Sequence, residues 1–195
     1  MYVEFAEKYH KTLLSCSNAI RVTRGAHTHE TIGFFSGIET ACTLIVQQAE
    51  SGGKLMFIGN GASAAISSHM STDFWKNGRI RAVAFNDPAL LTCMGNDYGY
   101  RHVFEKPVEM FADAGDILIA ISSSGRSENI LLAVAAAIKK GCKVITLSGF
   151  DADNPLSSLG DCNFYVPANT YGPVEVLHHF ICHCILDSIM KVRNG

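Results

Sequence analysis

The stretch Ile117-Leu118-Ile119-Ala120-Ile121-Ser122-Ser123-Ser124-Gly125-Arg126-Ser127 decides the fold class, because it joins an apolar run directly to a serine-rich turn. The apolar residues lack the polar alternation of a half-exposed strand, so they predict a strand buried on both faces, as in a parallel sheet. A helix is expected next, at 127–140, since Ser127 suits its N-cap and Gly141 suits a left-handed stop. The stretch therefore predicts a strand, a turn and a helix in succession.

Similar apolar runs and helical patterns occur on both sides of this unit. Further buried strands are predicted at 55–58, 82–85, 144–147 and 164–166. Further helices are predicted at about 2–25, 30–50, 63–76, 101–112 and 173–192. Alternating strands and helices indicate an α/β fold, here a five-stranded parallel sheet flanked by helices on both faces, with an N-terminal helical hairpin. We expect one domain over 1–195, with the hairpin at 1–52 and the core at 53–195.

Composition excludes several classes of protein. The 195 residues carry 16 Lys+Arg against 18 Asp+Glu, a formal charge of −2, which is unlike a broad nucleic-acid-binding surface. No apolar run approaches the roughly 18 residues of a membrane-spanning helix, and the first residues lack a signal-peptide core. Seven cysteines without a C-x-x-C pair suit free thiols in a reducing compartment. We therefore expect a cytoplasmic protein that binds neither nucleic acid nor membrane.

A second glycine- and serine-rich turn, Gly59-Asn60-Gly61-Ala62-Ser63, also follows a predicted buried strand and opens a helix. Such turns aim free backbone N–H groups and the positive end of a helix at one crevice, and serine hydroxyls add donors without bulk. An anion, above all a phosphate, suits this arrangement. No Gly-Lys-Ser/Thr or G-x-G-x-x-G pattern is present, which disfavours a nucleotide. The alternative is that both turns are simply serine-capped connections.

Three motifs together resemble the sugar isomerase (SIS) family, and within it the heptose phosphate isomerases. They are Gly59-Asn60-Gly61-Ala62-Ser63-Ala64, Gly95-Asn96-Asp97-Tyr98-Gly99 and Ile121-Ser122-Ser123-Ser124-Gly125-Arg126-Ser127. The resemblance covers nearly the whole chain. It implies substrate and phosphate contacts from Asn60, Gly61, Ser63, Asn96, Asp97, Ser122, Ser123, Ser124 and Ser127. Asp97 remains open to a second interpretation, as a turn residue before Tyr98 and Gly99.

Acid, base and metal roles follow from the same resemblance. The catalytic glutamate and histidine of the family fall on Asp73 and His183. The ligands of its metal-binding forms fall on His69, Asp73, Glu175 and His183, so a divalent ion, zinc or a similar one, is expected. Asp73 is one methylene shorter than the family's glutamate, and Glu175 replaces a glutamine. Glu175 is therefore an alternative base to Asp73.

Other residues near the last helix depart from the family or have plain structural interpretations. The run Tyr171-Gly172-Pro173-Val174-Glu175 lacks the hydroxyl or acidic residue and the arginine that usually precede the family's glutamine. His178 and His179 are adjacent and point to different faces of a helix, so at least one is expected to be structural. Four further histidines are expected to be ordinary surface residues: His10, His27, His29 and His102.

The resemblance implies an aldose–ketose isomerase that converts sedoheptulose 7-phosphate to D-glycero-D-manno-heptose 7-phosphate through an enediol, for surface polysaccharide. The alternative is a non-catalytic phosphosugar-binding protein, a regulator or an interaction module such as a homologue that binds a replication initiator. A homo-oligomer, a tetramer, with sites built from more than one chain is also expected. One reason is that Glu175 and His183 lie about 12 Å apart along one helix.

Overall fold

Seven strands form one sheet in the computed structural model, which describes residues 1–26 and 28–194. The strands are β1 (Arg21–Arg24), β2 (Glu30–Ile32), β3 (Leu55–Gly59), β4 (Ala82–Ala84), β5 (Ile117–Ser122), β6 (Lys143–Ser148) and β7 (Cys162–Tyr165). Their order across the sheet is β2-β1-β7-β6-β5-β3-β4. The five strands from β7 to β4 are parallel, whereas β1 pairs antiparallel with both of its neighbours.

Helices cover both faces of this sheet. They are α1 (Tyr2–Asn18), α2 (Phe34–Glu50), α3 (Ala62–Lys76), α4 (Pro88–Tyr98), α5 (Glu105–Phe111), α6 (Glu128–Lys139) and α7 (Tyr171–Asn194), with short 3₁₀ turns at Tyr100–His102 and Pro155–Ser158. Helices α2, α3 and α7 pack on one face, and α5 and α6 pack on the other. No helix in the described ranges has the length and apolar character that crossing a membrane requires.

The strands explain this layering because their side chains alternate between two cores. In β3, Leu55 and Phe57 belong to the core under α2, α3 and α7, while Met56 and Ile58 belong to the core under α5 and α6. All four side chains are at most 1% exposed. A strand buried on both faces has to be apolar at every position, which is why the sequence shows runs rather than alternation.

The prediction of a five-stranded parallel sheet flanked by helices is confirmed, but the sheet has two more strands. The expected helical hairpin is interrupted, because a β-hairpin of β1 and β2 lies between α1 and α2 and joins the sheet edge. Val22 points into the core, Gly25 turns the chain with a φ of 84°, and Arg24 pairs with Glu30 across the hairpin at 2.8 Å. The apolar–polar alternation at Ile20-Arg21-Val22 therefore marks a strand, not the end of a helix.

Helix α4 was missing from the sequence prediction, and the helix expected at 101–112 is shorter. Asp87 accepts a hydrogen bond from the Leu90 N–H at 3.0 Å and Pro88 occupies the first turn, so an ordinary capping signal starts α4. Asp97 lies in the last turn of this helix, before Gly99 ends it at a φ of 85°.

The surface histidines mostly follow expectation. His10 and His29 are exposed, as predicted. His102 is half-buried and contacts the carboxylate of Glu105, so it is not an isolated surface residue. His27 lies outside the described residues.

Replacing Gly59 by alanine is expected to lower the free energy of unfolding by about 1–3 kcal/mol, because overpacking costs that much where neighbours cannot retreat. A Cβ at Gly59 would lie 2.6 Å from the backbone carbonyl carbon and oxygen of Ser63. Gly95→Ala is the matched control: it lies inside α4 with its nearest neighbour 4.0 Å away, so it should be neutral or stabilising. Urea unfolding decides, and equal stability of Gly59→Ala and wild type would contradict the argument.

Candidate active site

A pocket of about 240 Å³ lies at the carboxyl ends of β3 and β5, where the two glycine- and serine-rich turns meet. It is lined by Asn60, Gly61, Ala62, Ser63, Ser122, Ser123, Ser124, Ser127, Tyr171 and Glu175. These residues include the first turns or caps of α3, α6 and α7, so three helix N-termini face one cavity. Helix N-termini attract anions through free N–H groups and the helix dipole.

The serine hydroxyls of this pocket are arranged as donors. Ser122 Oγ accepts a hydrogen bond from the Gly125 N–H at 3.2 Å, and Ser124 Oγ accepts one from Arg126 at 3.3 Å, so the hydrogen atoms of both hydroxyls remain for a ligand. Ser127 is the N-cap residue of α6, as predicted, but its hydroxyl makes no capping hydrogen bond within the described chain. The pocket thus offers hydroxyl and backbone donors to an anion.

No lysine or arginine lines this pocket among the described residues. The guanidinium of Arg126, which follows the serine run, turns away to Asp151 and Asp153 at 3.3 and 3.7 Å. An anion bound here is therefore held by dipoles and hydroxyls rather than by an ion pair.

Residues that sequence analysis missed hold the two turns in place. The side-chain amides of Asn60 and Asn129 exchange hydrogen bonds at 2.9 and 3.0 Å, and the Tyr100 hydroxyl donates to Asn60 Oδ1 at 3.0 Å. Gly125, at a φ of 60°, packs against the buried side chain of Asn154, which leaves no room for a Cβ. Asn129 lies in the first turn of α6, but only the fold shows that it faces Asn60.

Ser123→Ala is expected to weaken the binding of a sugar phosphate about tenfold or more, because a hydrogen bond to a charged group contributes about 1.5–3 kcal/mol. Ser123 is 6% exposed and lines the pocket. Ser51→Ala is the control, since Ser51 ends α2 on the surface and its hydroxyl bonds the Gln47 carbonyl. Isothermal titration with a sugar phosphate measures both; equal affinities for the two variants would contradict this assignment.

A second, more open pocket of about 610 Å³ adjoins the first, and Ala62 and Glu175 line both. It is lined by Ala62, Ala65, Ile66, His69, Glu175, Val176, His179, Phe180 and His183. His69 comes from α3, and the other two histidines come from α7. Each of the three imidazoles offers one nitrogen within 4.8 Å of the other two.

The predicted carboxylates take different positions beside this cluster. Asp73 Oδ2 lies 3.2 Å from Nε2 of His69, and its side chain is 19% exposed. A carboxylate in this position fixes the orientation and tautomer of an imidazole. Glu175 lies where the first pocket, called the serine pocket below, meets the second, called the histidine pocket. Glu175 and His183 of one chain line the same pocket, so their separation along α7 does not require a second chain.

At least one of the adjacent histidines was expected to be structural, and in the fold His178 is structural whereas His179 lies at the pocket. His178 is fully buried and its Nε2 lies 3.1 Å from the Ser148 carbonyl oxygen, and burial lowers its pKa to about 4. His179 faces the pocket instead. Burial lowers the pKa of His179, and the nearby imidazoles of His183 and His69 lower it further. Sequence spacing did not show which of the two would face His69.

Two predicted substrate residues lie outside the serine pocket of this chain. Asn96 donates to the carboxylate of Asp97 at 2.8 Å, and both are exposed at the end of α4. Among the described residues, neither lines the pocket, although Tyr100 just beyond them reaches Asn60.

The cysteines are free, as expected, and burial raises the pKa of the Cys182 thiol to about 12.

Comparison with known proteins identifies the family. The family model described as SIS domain matches residues 30–149, which include both turns of the serine pocket. The chain belongs to the SIS domain family. The match also includes the β-strand 30–32 and helix α2, so the family core begins before the first parallel strand.

Three relatives of this SIS protein carry the name phosphoheptose isomerase. It is 38% identical over 158 residues to a phosphoheptose isomerase of Helicobacter hepaticus, covering 78% of this chain and 80% of that one. Its structure matches a phosphoheptose isomerase of Neisseria gonorrhoeae with a TM-score of 0.83 and 30% identity, over 97% and 99% of the two chains. A phosphoheptose isomerase of Francisella tularensis matches with a TM-score of 0.83 and 28% identity, over 98% and 99%.

Proposed function

We propose that this SIS protein is an aldose–ketose isomerase that converts sedoheptulose 7-phosphate to D-glycero-D-manno-heptose 7-phosphate, for the synthesis of surface polysaccharide heptose. The observation that carries the proposal is the shared edge of two pockets: a serine pocket suited to phosphate and a pocket of acid and imidazole groups, joined at Glu175. Relatives named phosphoheptose isomerase that match most of the chain support the same substrate.

The reaction moves one proton between adjacent carbons through an enediol, which needs a base and an acid. The serine turns hold the phosphate end of the sugar. The other end of the sugar then extends past Glu175 toward the histidines. Glu175 is the base, because it lines both pockets, whereas Asp73 contacts His69. In the metal-free protein His183 is the acid that gives a proton to the carbonyl oxygen, and it regains a proton from the neighbouring hydroxyl oxygen when the enediol becomes the aldose.

The proposal includes a divalent metal ion, zinc, and the side chains of the histidine pocket suit such an ion. His69 and His183 bring imidazole nitrogens close together, and the buried Nε2 of His179 has no hydrogen-bond partner among the described residues. Neutral imidazoles are the ligands that zinc accepts. When bound, such an ion polarises a carbonyl oxygen. In this proposal Asp73 orients His69 and Glu175 acts as the base, in place of the ligand roles that the family resemblance implies for the two carboxylates.

A homo-oligomer, a tetramer, is also proposed, in the cytoplasm, where seven free thiols stay reduced. Apolar side chains support association: Phe35 and Val192 are 84% and 85% exposed beside a groove between α2 and α7. Light scattering measures the oligomeric state, and a fully active monomer would contradict the proposed tetramer. Mixing Asp97→Ala with His183→Ala tests shared sites, because restored activity requires the two residues to serve one site from different chains.

Incubation with sedoheptulose 7-phosphate, with and without a chelator, tests the function directly. Aldose formation is expected, together with a loss of turnover in His183→Ala that leaves phosphate binding intact. Binding of the sugar phosphate without turnover would instead favour the non-catalytic regulator or interaction module. That alternative has no need of the paired pockets, since a sensor requires only the serine turns.

A further inference from the structure

Three imidazoles from two helices converge in the second pocket. The ring centroids of His69 and His179 lie 5.1 Å apart, those of His69 and His183 lie 5.6 Å apart, and those of His179 and His183 lie 4.7 Å apart. One nitrogen from each ring lies within 4.8 Å of the others. Around a tetrahedral ion with Zn–N bonds of 2.0–2.1 Å, such nitrogens stand about 3.3 Å apart. Small side-chain rotations therefore suffice to close the cluster on one ion.

Helix geometry distinguishes His179 from Glu175 as a partner of His183. His179 is one turn from His183, about 6 Å along α7, on the same face of the helix. Glu175 is two turns away, about 12 Å. A single ion therefore reaches His179 and His183 together without stretching either side chain.

The environment of His179 supports the same role. Its Nε2 is buried and makes no hydrogen bond within the described part of the chain. An unpaired buried polar atom costs free energy, so such an atom calls for a specific partner. The family resemblance puts ligands at His69, Asp73, Glu175 and His183 and assigns nothing to position 179.

We propose that His179 is a metal ligand that completes a three-imidazole site with His69 and His183. The site takes a divalent transition metal of the zinc, cobalt or nickel type, because imidazole suits these ions better than it suits magnesium or calcium. Asp73 holds the His69 ring, and Glu175 stays unliganded at the edge of the serine pocket. This inference deepens the proposed function by redefining its metal site.

Titration of the full chain with Co²⁺, followed by visible absorption, tests the site without any turnover. Wild type is expected to bind one ion per chain with the d–d bands of a nitrogen- and oxygen-ligated site and no thiolate charge-transfer band. His179→Ala and His69→Ala should each weaken binding more than about 100-fold, because even a residue that only orients a ligand is worth up to that factor. Asp73→Ala, which removes the oxygen that orients His69, should weaken binding about 10- to 100-fold.

Two controls separate the competing ligand sets. The Co²⁺ affinity of Glu175→Gln should stay within about threefold of wild type, a much smaller change than the loss of a residue that orients a ligand would cause. His10 is exposed on α1, so His10→Ala should not change Co²⁺ binding. Wild-type affinity in His179→Ala, or a large loss in Glu175→Gln, would overturn the proposal, as would a wild type that binds no Co²⁺. His179→Gln keeps the side chain's size and replaces the alanine variant if that one does not fold.

The outcomes also separate this proposal from the isomerase. A chain that binds Co²⁺ through the three histidines but does not convert sedoheptulose 7-phosphate supports the site and contradicts the proposed function. If the protein converts the sugar and its His179→Ala variant retains wild-type Co²⁺ affinity, the isomerase function is supported and the three-imidazole site is contradicted.

Discussion

Replacing Glu175 by glutamine is expected to lower kcat about 100- to 10,000-fold, the range that a positioned acid or base contributes. The side chain keeps its size and loses its basic carboxylate. Phosphate affinity should be unchanged or higher, because the substitution removes a negative charge from the edge of the phosphate pocket. Steady-state kinetics with sedoheptulose 7-phosphate and titration with phosphate measure the two effects separately.

Asp73→Asn is the matched substitution, and it decides between the two candidate bases. Asparagine keeps an oxygen near Nε2 of His69, so the imidazole can still be oriented and kcat should fall far less than in Glu175→Gln. The test is severe, because Glu175→Gln restores the amide that the family resemblance places at this position. A Glu175→Gln protein with wild-type kcat, beside an inactive Asp73→Asn protein, would return the role of base to Asp73.

The parallel core could be predicted because burial on both faces leaves a strong local signature. Leu55–Ile58 and Ile117–Ile121 read as unbroken apolar runs, and each is followed by a turn rich in small residues. The antiparallel edge could not be recognised in the same way. At β1, only Val22 is buried, and the exposed Arg21 and Arg24 make the segment too polar to resemble the core strands.

Most residues that line the serine pocket could be named from the sequence, whereas the residues that support its two turns could not. Ser122 to Ser124 are recognisable because three serines follow one another in the sequence, and Gly59 and Gly61 because they come at the end of an apolar strand. Asn129 and Asn154 support the turns through hydrogen bonds and packing that join distant parts of the chain. No local pattern distinguishes such an asparagine from one in an ordinary helix or turn.

The histidine cluster shows a different limit of sequence reasoning. His69, Glu175 and His183 were found through family positions, and the distance along α7 then suggested that two chains must share them. The fold supplies another solution, because His179 lies between Glu175 and His183 on the face that meets His69. Adjacent histidines are ambiguous until the neighbouring helix is placed.

His178, the other member of that pair, is expected to make the protein lose about 3 kcal/mol of stability as the pH falls from 6.5 to 4. Its Nδ1 is buried without a partner among the described residues, and burial lowers its pKa from 6.5 to about 4. Between these values the unfolded chain binds more protons than the folded one. The free energy of unfolding therefore has its full value above pH 6.5 and declines until the folded imidazole also protonates.

The comparison of wild type with His178→Gln isolates this contribution, because other histidines and carboxylates titrate in both proteins. Glutamine keeps an N–H donor for the Ser148 carbonyl oxygen but does not titrate in this range. At pH 7 the variant should be the less stable protein, by the packing it loses, and the gap should shrink or reverse toward pH 4. Urea unfolding with a chelator present, at several pH values, measures the gap without a contribution from bound metal. Curves that stay parallel from pH 7 to pH 4 would mean that His178 is protonated in the folded state or shielded from titration in the unfolded one.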